Sequence, residues 1–209
     1  ERVCRKLAIE PGDRVVEAGC GWGALALYMA RHCGARVRAF NLSHEQIDYA
    51  RHRAAREGLT GDVEFIEDDY RNVGGRFDAF VSVGMLEHVG AAHYPELARL
   101  LRLWLGESGR GLLHFIGRSQ PQPLNPWILR RIFPGAYVPA LSEALPVLEA
   151  GDFRVADVEN LRDHYARTLA CWLERFEGAR QEASRLFDEE FLRAWQLYLA
   201  GSQAAFETG

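Results

Sequence analysis

The chain has 209 residues, 48% hydrophobic and 26% charged, which suffices for one sizeable domain with a full core. Its formal net charge of −4 excludes the basic footprint of a non-specific nucleic-acid binder, so no nucleic-acid partner is expected. No run reaches the roughly 18 apolar residues of a membrane span. Lys6 is the only lysine, a compositional bias toward arginine. Cys4, Cys20, Cys33 and Cys171 show neither a C-x-x-C pair nor zinc-like spacing with the histidines, so no metal is expected and they read as reduced cytosolic thiols.

Arg2 to Ile9 reads as a helix end, and Glu10-Pro11-Gly12-Asp13 as a turn feeding the first strand. Val15 and Val16 form the buried part of that strand, Glu17 is the acid at its end, and Gly19, Gly21 and Gly23 open a helix at Ala24. A helix N-terminus leaves backbone N–H groups free and carries partial positive charge. Glycines let a ligand approach that backbone closely. Gly19-x-Gly21-x-x-Ala24 loosely satisfies a dinucleotide fingerprint. Such a site wants an acid about 20 residues further on for the ribose hydroxyls, and the stretch there, Ala39-Phe40-Asn41, has no carboxylate. Glu17, two residues before the first glycine, is instead close enough to meet a cationic ammonium group. Together with the short loop that includes Cys20, it resembles the first motif of the class I S-adenosylmethionine-dependent methyltransferases. The alternative is a glycine-rich strand-to-helix turn with no ligand.

Further along, Ala24 to Cys33 reads as an apolar helix, Ala35 to Phe40 as a second strand, and His44 to Glu57 as a helix closed by Gly58. Asp62 to Ile66 reads as a third strand and Phe77 to Val83 as a fourth. Tyr94 to Leu105 is a helix and Gly111 to Ile116 a fifth strand. Buried strands alternating with helices predict a parallel, doubly wound α/β sheet. After Gly117 five prolines punctuate a long connection with a short apolar helix, Trp127 to Phe133. A helix near Ser142 to Ala150, a strand from Phe153 to Leu161, and a mostly helical stretch from Tyr165 to Phe206 complete the pattern.

Ligands in such sheets bind beyond the carboxyl ends of the strands. The second strand ends in Asn41-Leu42-Ser43, with Gln46 one turn into the next helix, where its amide would reach ribose hydroxyls. Ser43 suits an N-cap and a ligand contact equally. After the third strand, Asp68-Asp69-Tyr70-Arg71 sets a carboxylate beside an aromatic, which suits an adenine; two solvated acids are the plainer reading.

The fourth strand ends in VGMLEHVG, Val83 to Gly90. With VEAGCGWG, NLSHEQ, LLHFIG, RRIFPGAYVP, HYARTL and the final YLAG…AAF, it resembles the cyclopropane-fatty-acyl-phospholipid synthases and mycolic acid cyclopropane synthases along essentially the whole chain. The resemblance implies a Rossmann-like class I methyltransferase fold with a helical lipid-side insertion and a helical C-terminal region. It implies one domain over 1–209 that binds S-adenosyl-L-methionine through Glu17, Gly19, Cys20, Gly21, Asn41, Leu42, Ser43, Gln46, Asp69, Tyr70 and Arg71. The implied reaction adds a methylene group to a cis double bond of an unsaturated phospholipid acyl chain. Such chemistry needs a dry pocket and a base that does not itself alkylate. The family is associated with a bicarbonate ion as that base, and the residues carried over to hold it are Glu87, His114 and Tyr165 with the backbone near Ile116.

The resemblance also implies a bacterial, cytoplasmic protein at the inner face of the membrane, bound peripherally and reversibly, with a homodimer as a further partner. Trp127 to Phe133, apolar with Arg130 and Arg131, suits a bilayer surface or a helix packed over the sheet. Methyl branching of a fatty acid, methylation of a small amine and a non-catalytic S-adenosylmethionine-binding module are the alternatives. Two departures stand out: Ser202 where the family often has cysteine, and Asn41 where threonine is common. The resemblance further implies an N-terminal helical segment before Glu1 and a final strand beginning at Thr208-Gly209. Without them the chain is expected to bind its cofactor weakly and to make little product.

Overall fold

A computed structural model of the chain describes residues 1–208. In chain order its elements are α1 (Arg2–Lys6), β1 (Arg14–Ala18), α2 (Ala24–Cys33), β2 (Arg36–Asn41), α3 (His44–Arg56), β3 (Val63–Glu67), β4 (Ala79–Val83), α4 (Leu86–Val89), α5 (Tyr94–Leu105), β5 (Arg110–His114), α6 (Pro126–Arg131), α7 (Leu141–Ala150), α8 (Arg162–Gly178), α9 (Arg180–Ala183) and α10 (Glu189–Thr208). They fall into two compact units, Glu1–Pro123 with Gly135–Val155, and Leu124–Pro134 with Ala156–Gly209.

The first unit holds the sheet, whose order is β3-β2-β1-β4-β5, parallel throughout. Alternate residues of each strand point to opposite faces. Val15 therefore joins a core with Leu27, Met29 and Ile47 of α2 and α3, while Val16, fully buried too, joins Phe80, Leu97, Leu101 and Trp104 on the face covered by α5. Helix α2 lies between left-handed Gly23 and Gly34, and the Gly34 amide closes it by bonding the Ala30 carbonyl. Helix α5 starts with a proline in its first turn and buries Leu97, Ala98, Leu101, Trp104 and Leu105 at helical spacing. The sheet order reverses between β1 and β4, which opens a crevice at their carboxyl ends.

In the second unit α8 and α10 pack together, with Leu169, Leu192 and Leu199 buried. Phe187, Phe191, Trp195 and Tyr198 form a run of ring contacts.

Two expectations need correction. The strand expected from Phe153 to Leu161 does not form. Its alternation of apolar and charged residues suits a strand, but a strand needs a ladder partner, and among the described residues none pairs with it. Val155 and Val158 lie exposed instead. Glu87 does not end the fourth strand: β4 stops at Val83, a left-handed Gly84 turns the chain, and Glu87 lies on α4. Of the expected start of a last strand at Thr208-Gly209, Thr208 closes α10 and Gly209 lies outside the described residues.

Candidate functional site

The site is built on the loop after β1. Glu17 stands opposite Ala39 of β2 and Val81 of β4, so it lies mid-sheet and is 2% exposed. The Ala26 amide donates to its carboxylate, whereas Oε2 has no hydrogen-bond partner. Burial pushes its pKa up to about 8. A buried carboxylate with an open oxygen suits an incoming cation, which would hold the charged form.

Gly19, Gly21 and Gly23 all have positive φ, which L side chains adopt at a cost. The Gly19 and Cys20 amides both donate to the Phe40 carbonyl, at 2.9 and 3.0 Å, and bind the loop to the end of β2. Cys20 is buried, and burial with Glu17 nearby pushes its thiol up to about 12. Trp22, half exposed, meets Tyr49 edge-on at 5.3 Å.

The glycines differ in what surrounds them. A Cβ on Gly21 would meet nothing within 4 Å, so that position faces open space. On Gly23 it would lie 2.6 Å from Phe65 Cζ and 2.8 Å from Ala50 Cβ. Gly23→Ala is expected to destabilise the protein by about 1–2 kcal/mol for the left-handed backbone and roughly 1–3 kcal/mol more for overpacking. Gly21→Ala should cost only the first part. Urea unfolding of the two variants checks this; equal losses would mean that Phe65 yields.

At the end of β2 the Asn41 side-chain amide donates to Gln46 Oε1 at 2.6 Å, and Ser43 Oγ accepts from the Gln46 amide at 3.4 Å. Ser43 is therefore the cap of α3, and Asn41 orients Gln46. Leu42 is 71% exposed at the rim. After β3 Asp69 caps a turn through the Arg71 amide, and both its oxygens accept from the Arg71 guanidinium, at 2.8 and 2.7 Å. This pair holds the Asp69 pKa below its ordinary value. Asp68 accepts from the Asp69 amide and from Asn72, both through Oδ1. Tyr70 is half-buried, and burial raises its phenol pKa.

Across the crevice, Val83 at the end of β4 stands opposite His114 at the end of β5, and the Gly84 amide donates to the His114 carbonyl at 2.9 Å. Glu87 is 6% exposed; its Oε1 accepts from the Ile116 amide at 2.7 Å and its backbone carbonyl from the Tyr137 amide at 2.8 Å. Oε2 has no partner. One residue thus joins three segments and keeps a free acceptor. The Ile116 amide expected to help hold an anion is given to Glu87. His88, next to Glu87, is exposed.

A neighbouring cluster went unread in the sequence. The Tyr137 hydroxyl donates to Glu143 Oε1 at 2.6 Å, and Glu143 Oε2 accepts from the Ala140 amide at 2.8 Å. Tyr94 is 5% exposed with no partner for its hydroxyl, and burial, then Glu143, Tyr137 and Glu87, raise its pKa. Glutamate three residues past a helix start was a readable signal for Glu143. Tyr94, first residue of an amphipathic helix, reads as core.

In the second unit Tyr165 lies on α8 and stacks on Phe206 with ring centroids 4.9 Å apart. Ser202 hydrogen-bonds Tyr198. Arg131 pairs with Glu190 at 2.7 Å, and Arg130 donates to the Pro126 carbonyl. The short helix α6 thus offers fewer uncommitted cations than its sequence suggested. Among the described residues no cluster of three or more His, Cys, Asp or Glu could hold a metal ion, and no helix is long and apolar enough to cross a membrane.

The family profile described as "Mycolic acid cyclopropane synthetase" matches residues 1–209. A "Probable fatty acid methyltransferase" of Pseudomonas putida is 42% identical over 218 residues, 100% of this chain and 55% of that protein. The "Cyclopropane-fatty-acyl-phospholipid synthase" of Escherichia coli (strain K12) is 39% identical over 206 residues, 98% of this chain and 52% of that protein. The chain therefore spans about half the length of these curated relatives. Among solved structures, that of the mycolic acid cyclopropane synthase CmaA1 complexed with SAH and CTAB superposes with a TM-score of 0.88 at 25% identity, covering 98% of this chain and 77% of that one. The sheet is that of a class I methyltransferase.

Proposed function

The chain belongs to the mycolic acid cyclopropane synthetase family, and from that premise we propose that it transfers a methylene group from S-adenosylmethionine to a cis double bond of an unsaturated phospholipid acyl chain, forming a cyclopropane ring. The observation that carries the reading is the pairing of a half-satisfied, buried Glu17 at the end of β1 with a half-satisfied, buried Glu87 beyond β4, at the sheet's switch point.

S-adenosylmethionine, when bound, supplies an electrophilic methyl carbon that a poorly nucleophilic alkene can attack. Glu17 would hold the ammonium group, the open face of Gly21 would admit the ligand, and Gln46, oriented by Asn41, would reach the ribose hydroxyls. Asp68 is a better acceptor for an adenine amino group than Asp69, whose two oxygens serve Arg71. Leu42 would cover the ligand's edge, and Cys20 with Tyr70 would line the crevice.

The remaining task is to lead a proton away from the new methyl group while the charged acyl chain is kept from water. Glu87 suits one end of that task. The unpartnered Oε2 of this carboxylate is an acceptor, so it fits a partner bearing an O–H, as bicarbonate does. The Ile116 amide, already bonded to Glu87, would orient the carboxylate and not the anion. His114 and Tyr165 are the proposed donors.

A second reading, methyl branching of a fatty acid, draws on the Pseudomonas putida relative. The two products differ in which proton leaves, and each adds one methylene. Mass spectrometry of lipids from cells expressing the full-length gene, before and after hydrogenation, is expected to show a methylene gain that resists mild hydrogenation. Uptake of hydrogen would assign the branched product. No gain in any lipid would overturn both readings. The acyl chain is proposed to be reached at a membrane surface by peripheral, reversible contact.

A further inference from the structure

Glu87 lies on a helix that does little to hold itself. Helix α4 has four residues and no side-chain cap, with the positive-φ glycines Gly84 and Gly90 near its two ends. Leu86 and Val89 anchor it in the core. One turn alone is a costly unit to keep formed, and the direction of the Glu87 side chain therefore depends on bonds made from outside. Five hydrogen bonds supply them, in a circuit that begins and ends on Glu87. Oε1 accepts from the Ile116 amide at 2.7 Å. Two residues on, the Arg118 amide donates to the Pro139 carbonyl at 3.0 Å. The next residue, Ala140, donates its amide to Glu143 Oε2 at 2.8 Å, and Glu143 Oε1 accepts from the Tyr137 hydroxyl at 2.6 Å. The Tyr137 amide closes the circuit on the Glu87 carbonyl at 2.8 Å.

We propose that Tyr137 and Glu143 are positioning residues that hold the Glu87 carboxylate in the direction the reaction needs, an inference that rests on the proposed role of Glu87 in proton removal. Tyr137 is the joint of the circuit, because its amide holds Glu87 and its hydroxyl holds Glu143. It lies between α6 and α7, outside both helices, and the hydroxyl bond ties it to the first turn of α7, where Glu143 stands. The Tyr137 hydroxyl, then the Ala140 amide, holds the Glu143 carboxyl below the usual carboxylate range. The acceptor is thus charged, and charge-assisted hydrogen bonds are shorter and roughly twice as strong as neutral ones.

Loss of the Tyr137 hydroxyl bond would loosen residues 135–139 and with them the partner of the Glu87 carbonyl. The carboxylate would then sample directions in which Oε2 no longer faces its partner, and the cost falls on the chemical step. Cofactor binding is assigned to other residues, those of the loop after β1 and the end of β2, so KM for S-adenosylmethionine should not move.

The test uses the full-length protein with S-adenosylmethionine and vesicles of an unsaturated phospholipid, and reads the release of S-adenosylhomocysteine, which counts transfers whichever product forms. Tyr137→Phe is expected to lower kcat on the order of tenfold, within the roughly 10²-fold that a misplacement of about 1 Å can cost, with KM for S-adenosylmethionine unchanged. Glu143→Ala should lose at least as much, since it also removes the partner of the Ala140 amide. In a Glu87→Gln background Tyr137→Phe should have no further effect, because residues that act through one group are not additive. Tyr137→Phe removes a single oxygen atom and decides the matter where Glu143→Ala folds poorly. A Tyr137→Phe loss of equal size in both backgrounds, or no loss in either, would overturn the proposal while leaving Glu87 its role. Parental turnover in Glu87→Gln would overturn the reading of Glu87 and the proposal with it.

Discussion

Glu87→Gln in the full-length protein is expected to lower turnover about 10²–10⁴-fold, the usual cost of losing a positioned general base or its holder, with S-adenosylmethionine affinity nearly unchanged. Glutamine has the shape of glutamate, so its carbonyl oxygen can keep the 2.7 Å bond from the Ile116 amide. What changes is the other oxygen, which becomes an amide donor where an unpartnered acceptor stood. His114→Ala should act in the same direction, because it removes one of the proposed donors. Steady-state kinetics with calorimetric cofactor titration separates the effects. Parental turnover in Glu87→Gln would remove Glu87 from the chemistry. A joint loss of affinity and Tm would make it a structural clamp alone.

Cofactor affinity is expected to rise about tenfold per pH unit up to about pH 7 and to level off near pH 8. Burial holds Glu17 protonated up to about pH 8, so below that value a cationic ligand must displace a proton to gain a charged partner. Near that value the gain stops, because an α-amino group with an ordinary pKa of about 7.7–8.0 loses its own charge over the same range. Glu17→Gln should flatten the curve. Calorimetry in two buffers of different ionisation enthalpy counts the proton released. A flat wild-type curve would overturn the assignment.

The same group sets a stability trend with a definite sign. Its pKa in the folded protein is raised from the ordinary 4.5 to about 8, so between those values the folded state holds a proton that the unfolded state has lost. Its contribution is full below about pH 4.5 and is lost as pH rises through 8.

Much of the first unit was legible because punctuation and periodicity agreed. Helices α2 and α5 begin and end at the residues expected, since left-handed glycines bound one and a proline and Gly106 bound the other. Glycine spacing and the adjacent acid marked the loop after β1. What the sequence hid depended on partners. The stretch from Phe153 to Leu161 carries a strand pattern, but pattern does not supply a neighbour. Asp69 and Arg71 both looked available to a ligand, and only geometry reveals that they satisfy each other. Glu87 was singled out only through resemblance; its bond to Ile116 joins positions far apart in the chain and leaves no local trace.

The crowding behind Gly23 ties the loop after β1 to the core. Behind Gly23 stand the Phe65 ring from β3 and the Ala50 methyl from α3, both core residues. A substitution at 50 or 65 therefore bears directly on how closely the backbone at Gly23 can pack against the core.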